Sequence, residues 1–211
     1  MSRILITSGP TRQYLDPVRY LTNASSGLMG SALVVAAMEL GHEVIVISGP
    51  VEVPYPAGAT VLPVVSTEEM LTLARETFVD CDGLIGAAAP CDYRPLRVEP
   101  SKIAKTGEPL LLKLIETDDV VATLGATKAH RWVVGFALET EDHRLRALAK
   151  LERKCCDLIV SNSVEAMHSK NNQVEILAPS GEVLGTVEGN KTLVAQEIMA
   201  IIEQRLIKLV E

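Results

Sequence analysis

The fold is decided by the segment in which R-I-L-I-T at residues 3–7 and E-V-I-V-I-S at Glu43–Ser48 flank a helical pattern. Both runs are short and rich in β-branched residues, which is typical of central strands in a parallel sheet. Between them, apolar residues recur at helical spacing and the pattern ends at a glycine (Met29, Leu33, Val34, Ala37, Leu40 and Gly41). The segment therefore predicts a strand, a helix and a second strand.

Outward from this segment, strands and helices continue to alternate. Residues 66–69, S-T-E-E, form a capping-box pattern that opens a helix ending near Phe78. Strands are predicted at residues 83–88, 110–114, 132–136 and 158–161, and helices at 118–128 and 141–154. The alternation predicts an α/β fold with a doubly wound, mostly parallel sheet that resembles a Rossmann fold.

The last third of the chain changes character. Two strand patterns, at residues 173–177 and 183–187, flank Ser180-Gly181 and predict a C-terminal β-hairpin. A final helix is expected from about Lys191 to Leu209. The chain shows no internal repeat, and its 211 residues suit one domain over residues 1–211.

Composition and charge exclude several classes of protein. The net charge of -7 argues against a nucleic-acid partner, whose phosphates need clustered Lys and Arg. The sequence contains no apolar run of about 18 residues and no leader that ends in Ala-x-Ala. We therefore expect neither a membrane partner nor export. The four cysteines and four histidines lack the spacing of a zinc site, so reduced thiols and a cytoplasmic protein are expected.

The loop after the first strand is dense in hydrogen-bonding side chains. Ligands of parallel α/β sheets bind beyond the carboxyl ends of strands, so the loops after Thr7, Ala88 and Phe136 are candidates. In the first of these, Ser25 or Ser26 is the predicted N-cap of a helix whose free N–H groups could hold a phosphate. A capped helix with no ligand explains the same residues about equally well.

The second loop joins small residues to charged ones. The alanines at residues 87–89 allow close approach of a flat ring, and Asp92 is a candidate to hold Mg²⁺ through water. Lys102 and Lys105 are candidates for the phosphates that the metal bridges. As an isolated pair, two loop lysines are more often simply solvated.

The third set of candidate residues consists of two lysines on the helix at residues 141–154 and a phenylalanine at the end of the strand before it. Lys150 and Lys154 are four residues apart on one helix face, so either water screens their repulsion or an anion bridges them. Phe136 ends the strand W-V-V-G-F, where it either packs in the core or stacks on a base.

Six motifs occur in a fixed order along the chain: S-G-P-T-R, D-P-V-R-Y, N-A-S-S-G, A-A-A-P-C-D-Y-R, K-I-A-K and G-F-A-L-E-T. Together they closely resemble the phosphopantothenoylcysteine synthetase family over nearly the whole chain. The resemblance implies a homodimeric ligase of coenzyme A biosynthesis that joins 4'-phosphopantothenate to L-cysteine. It further implies activation by CTP, with ATP possible, through an acyl-nucleotide with Mg²⁺ or Mn²⁺. Because the chain starts at the synthetase strand, the phosphopantothenoylcysteine decarboxylase that acts on the product is expected to be a separate protein.

The resemblance also implies a role for individual residues. Three are expected in catalysis: Arg19, Asn23 and Lys102. The expected nucleotide-binding residues are Gly86, Ala87, Ala88, Asp92, Lys102, Thr117, Asp118, Asp119, Val120, Phe136, Lys150 and Lys154. Phosphopantothenate and the intermediate are expected at Arg19, Asn23, Ser25, Ser26, Gly27 and Ala89, and the metal is expected at Asp92.

Departures from the family pattern leave two other functions open. This chain has Leu28 where the family commonly has Lys, Cys91 where it has Ala, and Thr117-Asp118 where it has Asn-Pro. The turn that is usual in the family before Asn171 is absent. Leu28 and the shortened turn keep open a nucleotide-binding regulator without catalysis. An oxidoreductase is weaker, because the chain has no G-x-G-x-x-G motif and no acidic residue for a ribose hydroxyl after Ser48.

Overall fold

A computed structural model describes residues 1–139, 142–163 and 172–208 of the chain. Its elements, in chain order, are β1 (Arg3–Ser8), β2 (Arg12–Tyr14), β3 (Tyr20–Thr22), α1 (Leu28–Glu39), β4 (Glu43–Ser48), β5 (Thr60–Pro63), α2 (Thr67–Phe78), β6 (Gly83–Gly86), β7 (Tyr93–Pro95), β8 (Leu114–Glu116), α3 (Val120–Ala126), β9 (Trp132–Glu139), α4 (His143–Arg153), β10 (Leu158–Ser163), β11 (Asn172–Leu177), β12 (Val183–Gly189) and α5 (Lys191–Ile202), followed by a π-helical turn (Glu203–Ile207).

The main sheet of the described residues has eight strands in the order β12-β11-β10-β9-β6-β1-β4-β5. Every neighbouring pair from β5 across to β10 is parallel, whereas β11 and β12 add an antiparallel hairpin at one edge. The parallel strands follow the order of a Rossmann fold, in which the chain winds outward from β1 in both directions. The doubly wound sheet and the C-terminal hairpin predicted from the sequence are confirmed.

Helices cover both faces of the sheet, because strand side chains alternate between two apolar cores. Ile4 and Ile6 face α1 and α5, whereas Leu5 faces α2, α3 and α4. The capping box predicted before α2 is confirmed, since Ser66 and Glu69 satisfy each other's backbone N–H groups. Among the described residues, no helix combines the length and apolar character needed to cross a membrane.

The strand predicted at residues 110–114 is wrong. Residues 110–113 are irregular and exposed, with Leu111 91% accessible. Only Leu114 belongs to a strand, β8, which pairs with β7 in a separate two-stranded sheet. The apolar run indicated a buried strand, but periodicity does not show whether a partner strand is available. The sequence reasoning also missed the edge strand β5 and the hairpin of β2 and β3.

Several predicted boundaries move by a few residues. The N-cap predicted at Ser25 or Ser26 is wrong: Gly27 caps α1 with a φ of 76° and no side-chain hydrogen bond. The strand predicted at 83–88 ends at Gly86, and the helix predicted from Asp118 begins at Val120. The final helix ends at Ile202 before the π-helical turn. The predicted helix start at Glu141 and the end at Leu209 lie outside the described residues.

Candidate active site

A cleft opens where the carboxyl ends of the central strands meet, beside the point at which the winding of the sheet reverses. Its enclosed volume is about 90 Å³. This is smaller than the roughly 300–1,000 Å³ typical of whole-ligand pockets, so it suits one part of a ligand. We call it the central cleft; it is lined by Thr7, Gly86, Ala88, Pro90, Cys91, Asp92, Thr117, Asp118, Asp119, Val120, Val121, Phe136 and Lys154.

Most of the residues predicted to bind nucleotide line this central cleft. They come from segments that are distant in sequence: the end of β6, the loop after it, the start of α3, β9 and the end of α4. Ala87, Lys102 and Lys150 are the predicted nucleotide residues that do not line it. Lys102 instead lines a second cleft of about 620 Å³. The structure thus brings together nine of the twelve predicted nucleotide residues and leaves Ala87, Lys102 and Lys150 outside this cleft.

Gly86 has to be a glycine because α3 packs against the end of β6. A Cβ atom at this position would lie 2.4 Å from Cγ2 of Val121, well inside van der Waals contact. The next residues leave the strand at once: Ala87 N–H donates to Ile85 O, and Ala88 N–H reaches Thr7 Oγ1 at 3.4 Å. Small residues therefore keep the floor of the central cleft open.

Asp119 and Lys154 form an ion pair across the central cleft. Asp119 Oδ1 accepts the N–H of Ala122 at the start of α3, and its Oδ2 lies 2.9 Å from Lys154 Nζ. Burial raises the pKa of Asp119, but the Ala122 N–H and the Lys154 ammonium outweigh it and hold this pKa below its usual value. Lys154 is thus paired with a carboxylate, an arrangement that differs from both the screening and the bridging anion considered for it in sequence.

Phe136 and Asp92 stand at two sides of the central cleft. Phe136 is half-buried, packs against the core beneath α1 and α5 and also lines the cleft, so it serves packing and is available for stacking. Asp92 is exposed, and its backbone oxygen accepts the N–H of Thr117 at 2.9 Å. Within the described ranges, no group of three or more His, Cys, Asp or Glu side chains is placed to hold a metal ion.

Asn23 is held against the loop that follows β6. Its Nδ2 donates to Pro90 O at 2.8 Å and to Ala89 O at 3.3 Å, while Ala89 N–H donates to Gly9 O. The structure therefore joins Asn23 and Ala89, and their role as one substrate site stays a prediction. Both hydrogens of the Asn23 amide already have carbonyl acceptors, so stabilising an oxyanion with this group requires it to leave one of them.

Arg19 is fixed by Asp16, a residue that the sequence reasoning missed. Arg19 Nη1 lies 2.7 Å from Asp16 Oδ2 and donates to Ile103 O at 3.0 Å. The fully buried Asp16 carboxylate also accepts the backbone N–H groups of Val18, Arg19 and Ile103. Burial raises the pKa of Asp16, but these hydrogen bonds outweigh it and hold the pKa far below its usual range. The D-P-V-R-Y motif contains Asp16, but sequence alone does not show that Asp16 binds the backbone of Ile103, the residue after Lys102.

Lys102 belongs to an exposed surface that we call the arm: the sheets β2–β3 and β7–β8 with residues 96–113. Lys102 is exposed in the wide cleft of this arm and lies outside the central cleft. Large apolar side chains are unusually exposed on the arm: Tyr14, Val18, Tyr20, Tyr93, Leu96, Val98, Leu110, Leu111, Leu112 and Leu114. An apolar surface of this extent is typical of a protein interface.

The start of α1 is packed tightly under the first loop. A Cβ at Gly27 would lie 2.7 Å from Val51 Cγ1, and one at Gly30 would lie 2.0 Å from Ser8 Oγ. Ser25 Oγ accepts the N–H of Gly27 at 3.4 Å, and Ser26 Oγ accepts that of Leu28 at 3.5 Å. The two glycines are therefore required by packing, and a phosphate at this helix start remains a prediction.

A Rossmann-like sheet with a cleft at the carboxyl ends of its central strands places the chain among the doubly wound α/β proteins. Residues 1–206 match the family model described as the DNA/pantothenate metabolism flavoprotein C-terminal domain. The chain belongs to this family. The family membership inferred from the six sequence motifs is confirmed.

Similar proteins share both sequence and fold. The chain is 39% identical over 198 residues to the coenzyme A biosynthesis bifunctional protein CoaBC of Escherichia coli K12, with 90% of this chain and 49% of that protein covered. For CoaBC of Vibrio vulnificus YJ016 the identity is 41% over 186 residues, with 85% and 46% covered. The chain thus spans about half the length of the curated relatives that it matches.

Solved structures agree with this relationship. The crystal structure of the C-terminal domain of CoaBC superposes with a TM-score of 0.82 at 37% identity, covering 97% of this chain and 95% of that one. A Cab2 variant in complex with phosphopantothenate-cysteine has a TM-score of 0.81 at 17% identity, covering 99% and 87%. The second match shows a shared fold.

Proposed function

We propose that the chain is a phosphopantothenate–cysteine ligase that acts in coenzyme A biosynthesis. The observation that supports this most strongly is the assembly of the predicted nucleotide residues in one cleft at the carboxyl edge of the sheet. The likeness to CoaBC over 90% of the chain supports the pathway. CTP is the proposed activating nucleotide, and ATP is the alternative.

The reaction would proceed in two half-reactions. A carboxylate oxygen of 4'-phosphopantothenate attacks the α-phosphorus of the nucleotide, and pyrophosphate leaves as the acyl-nucleotide forms. The amine of cysteine then attacks the acyl carbon, loses a proton and expels the nucleoside monophosphate. Each half-reaction passes through a state with added negative charge, so the chain needs donors and cations near the bond that forms.

The central cleft suits the nucleotide part of this reaction. The ring of Phe136 offers a stacking surface, and the backbone around Gly86 and Ala88 offers hydrogen-bonding groups that no side chain obstructs. The ammonium group of Lys154 can leave the Asp119 carboxylate and pair with a phosphate oxygen instead. The exposed carboxylate of Asp92 suits Mg²⁺ or Mn²⁺, because such a cation is commonly held by one carboxylate together with substrate phosphates. The cation would supply positive charge that stabilises the leaving pyrophosphate.

The neighbouring loop suits the acyl part. Asn23 lies against Ala89 and Pro90, directly next to the central cleft, so an acyl group attached to the nucleotide would reach its amide. Arg19 is anchored through Nη1, while 38% of its side chain stays accessible for a substrate anion. Asn23 is therefore the proposed oxyanion donor and Arg19 the proposed substrate anchor.

The arm supports the proposal of a homodimer. Its exposed side chains include Leu111, Leu110 and Val18, which are 91%, 58% and 58% accessible. Covering them with a second copy would remove a large apolar surface from water. Sedimentation should therefore show a dimer. Leu111→Glu should shift it toward a monomer, whereas Leu145→Glu, at a 71% exposed position on α4, should not.

A reconstituted assay tests the activity itself. The purified chain is incubated with 4'-phosphopantothenate, cysteine, Mg²⁺ and either CTP or ATP, and pyrophosphate and the amide product are measured. Omitting cysteine should leave pyrophosphate release without amide, and EDTA should stop both. Nucleotide binding without any product would instead indicate the regulator, and equal product without nucleotide would refute the activation step.

A further inference from the structure

Two threonine hydroxyls are buried behind the loop that borders the central cleft. Thr11 follows β1 and is 0% exposed, and Thr67 begins α2 and is 1% exposed. We infer that Thr67, acting through Thr11 and Cys91, is a positioning residue for the nucleotide site, an inference that rests on the proposed function. Thr67 does not itself line the central cleft, so its effect has to pass through the loop.

The hydrogen bonds among these residues can close into a ring. Cys91 N–H donates to Thr11 Oγ1 at 2.8 Å, and Thr67 Oγ1 donates to Cys91 O at 3.2 Å. The two hydroxyl oxygens lie 2.8 Å apart. When the Thr67 hydrogen is used on Cys91 O, Thr11 donates to Thr67. The bonds form a closed ring that holds both the N–H and the C=O of Cys91.

This ring sets the part of the loop that faces the nucleotide. Cys91 O also accepts the hydroxyl of Thr117 at 2.6 Å, and Thr117 N–H donates to Asp92 O at 2.9 Å. The orientation of the peptide between Cys91 and Asp92 therefore depends on the ring, and with it the position of the Asp92 carboxylate and of Thr117. At the other end, Asn23 holds the loop through Pro90 O.

Thr67 is the member of the ring that can be changed with least direct effect on the cleft. Replacing it with valine keeps the shape and removes the hydroxyl, which leaves the buried Thr11 hydroxyl without its acceptor. A buried polar group that loses its partner is costly, so we expect the Thr11 hydroxyl to reorient toward another acceptor and its bond with the N–H of Cys91 to weaken. The loop then has fewer constraints on Asp92, although no residue that touches the nucleotide has been altered.

The test compares three variants of helix α2. Thr67→Val removes the ring hydroxyl, Thr67→Ser keeps a hydroxyl there, and Thr77→Val is the matched control, because Thr77 Oγ1 donates to Leu73 O within the helix. We expect Thr67→Val to lower kcat/KM for the nucleotide by about ten- to one-hundred-fold. Thr67→Ser should stay within about threefold of wild type, and Thr77→Val should equal it.

Hydrogen exchange gives a second measurement that does not require the ligase reaction. The amide of Cys91 should be protected in wild type, Thr67→Ser and Thr77→Val, and should exchange faster in Thr67→Val at a temperature where all four are folded. If wild type is active while Thr67→Val keeps both its kcat/KM and its Cys91 protection, the inference is overturned and the proposed function stands. If wild type makes no product, but Thr67→Val loses Cys91 protection and CTP affinity, the proposed function falls and the positioning role stands.

Discussion

Replacing Gly86 with alanine should show how closely α3 controls the central cleft. The added Cβ would lie 2.4 Å from Val121 Cγ2, whereas carbon atoms normally approach to about 3.5–4.0 Å. The backbone oxygen of Val134 lies 3.6 Å from the same Cβ position, so the methyl group has little room to retreat. Val121, and the start of α3 with it, must therefore move by about 1 Å or more.

Over-packing of this kind costs about 1–3 kcal/mol of unfolding free energy. Val121→Ala alone removes two methyl groups from a partly buried side chain and should cost about 1 kcal/mol. In the double variant the methyl at residue 86 occupies the space that Val121 vacates. The two changes should therefore be less destabilising together than their sum, with a coupling of about 1–2 kcal/mol.

The assay is a double-mutant cycle measured by urea denaturation, with the apparent KM for CTP determined in parallel. Stability should recover in the double variant, whereas the KM should stay raised, because the new methyl group remains at the floor of the cleft. Strictly additive unfolding free energies would refute the steric argument. A KM that stays at the wild-type value in Gly86→Ala would show that this floor does not touch the nucleotide.

Three further predictions address charges and hydrogen bonds at the site. Because the pKa of Asp16 is lowered in the folded protein, the stabilising effect of its carboxylate is complete above the ordinary carboxyl pKa and is lost as pH falls through the folded pKa. Asp16→Asn should therefore flatten the loss of stability that wild type shows below about pH 5. Parallel curves of unfolding free energy for the two proteins, measured by urea denaturation from pH 7 to pH 3, would contradict this. Lys154→Ala should leave Asp119 without its ion-pair partner and raise the KM for CTP by roughly tenfold or more. An unchanged KM would show that Lys154 does not contact the nucleotide phosphates. Asn23→Asp should slow the second half-reaction by roughly two to three orders of magnitude, so that quenched samples contain the acyl-nucleotide by mass; equal, wild-type amounts of pyrophosphate and amide would sink its oxyanion role.

The parts of the fold that the sequence predicted are those with a strong local signal. The strands β1 and β4 contain uninterrupted runs of Ile, Leu and Val, and the capping box before α2 is a local exchange of hydrogen bonds. The run at residues 110–114, L-L-L-K-L, is also mostly apolar but lies on the exposed arm. Burial depends on what else is adjacent, and composition does not supply that information.

The site was predictable wherever a motif names residues that share one cleft, as at Asp92 and Phe136. It was not predictable where the partner is far away in sequence. Thr11 and Thr67 are 56 positions apart, and Asp16 meets the backbone of Ile103 across 87 positions. The role of Lys102 stays a prediction: its motif indicates phosphate chemistry, while the structure places it in the cleft of the arm and outside the central cleft.

The ion pair between Asp119 and Lys154 means that the central cleft contains its own competitor for anions. An anion that binds to Lys154 there has to replace the Asp119 carboxylate, so its net gain is a difference between two ion pairs. A weakly binding ion such as chloride gains little from this exchange. A triphosphate presents several charges at once and can hold Lys154 while other oxygens make further contacts. For the proposed nucleotide site, the Asp119 carboxylate should therefore reduce competition from ordinary salt for Lys154.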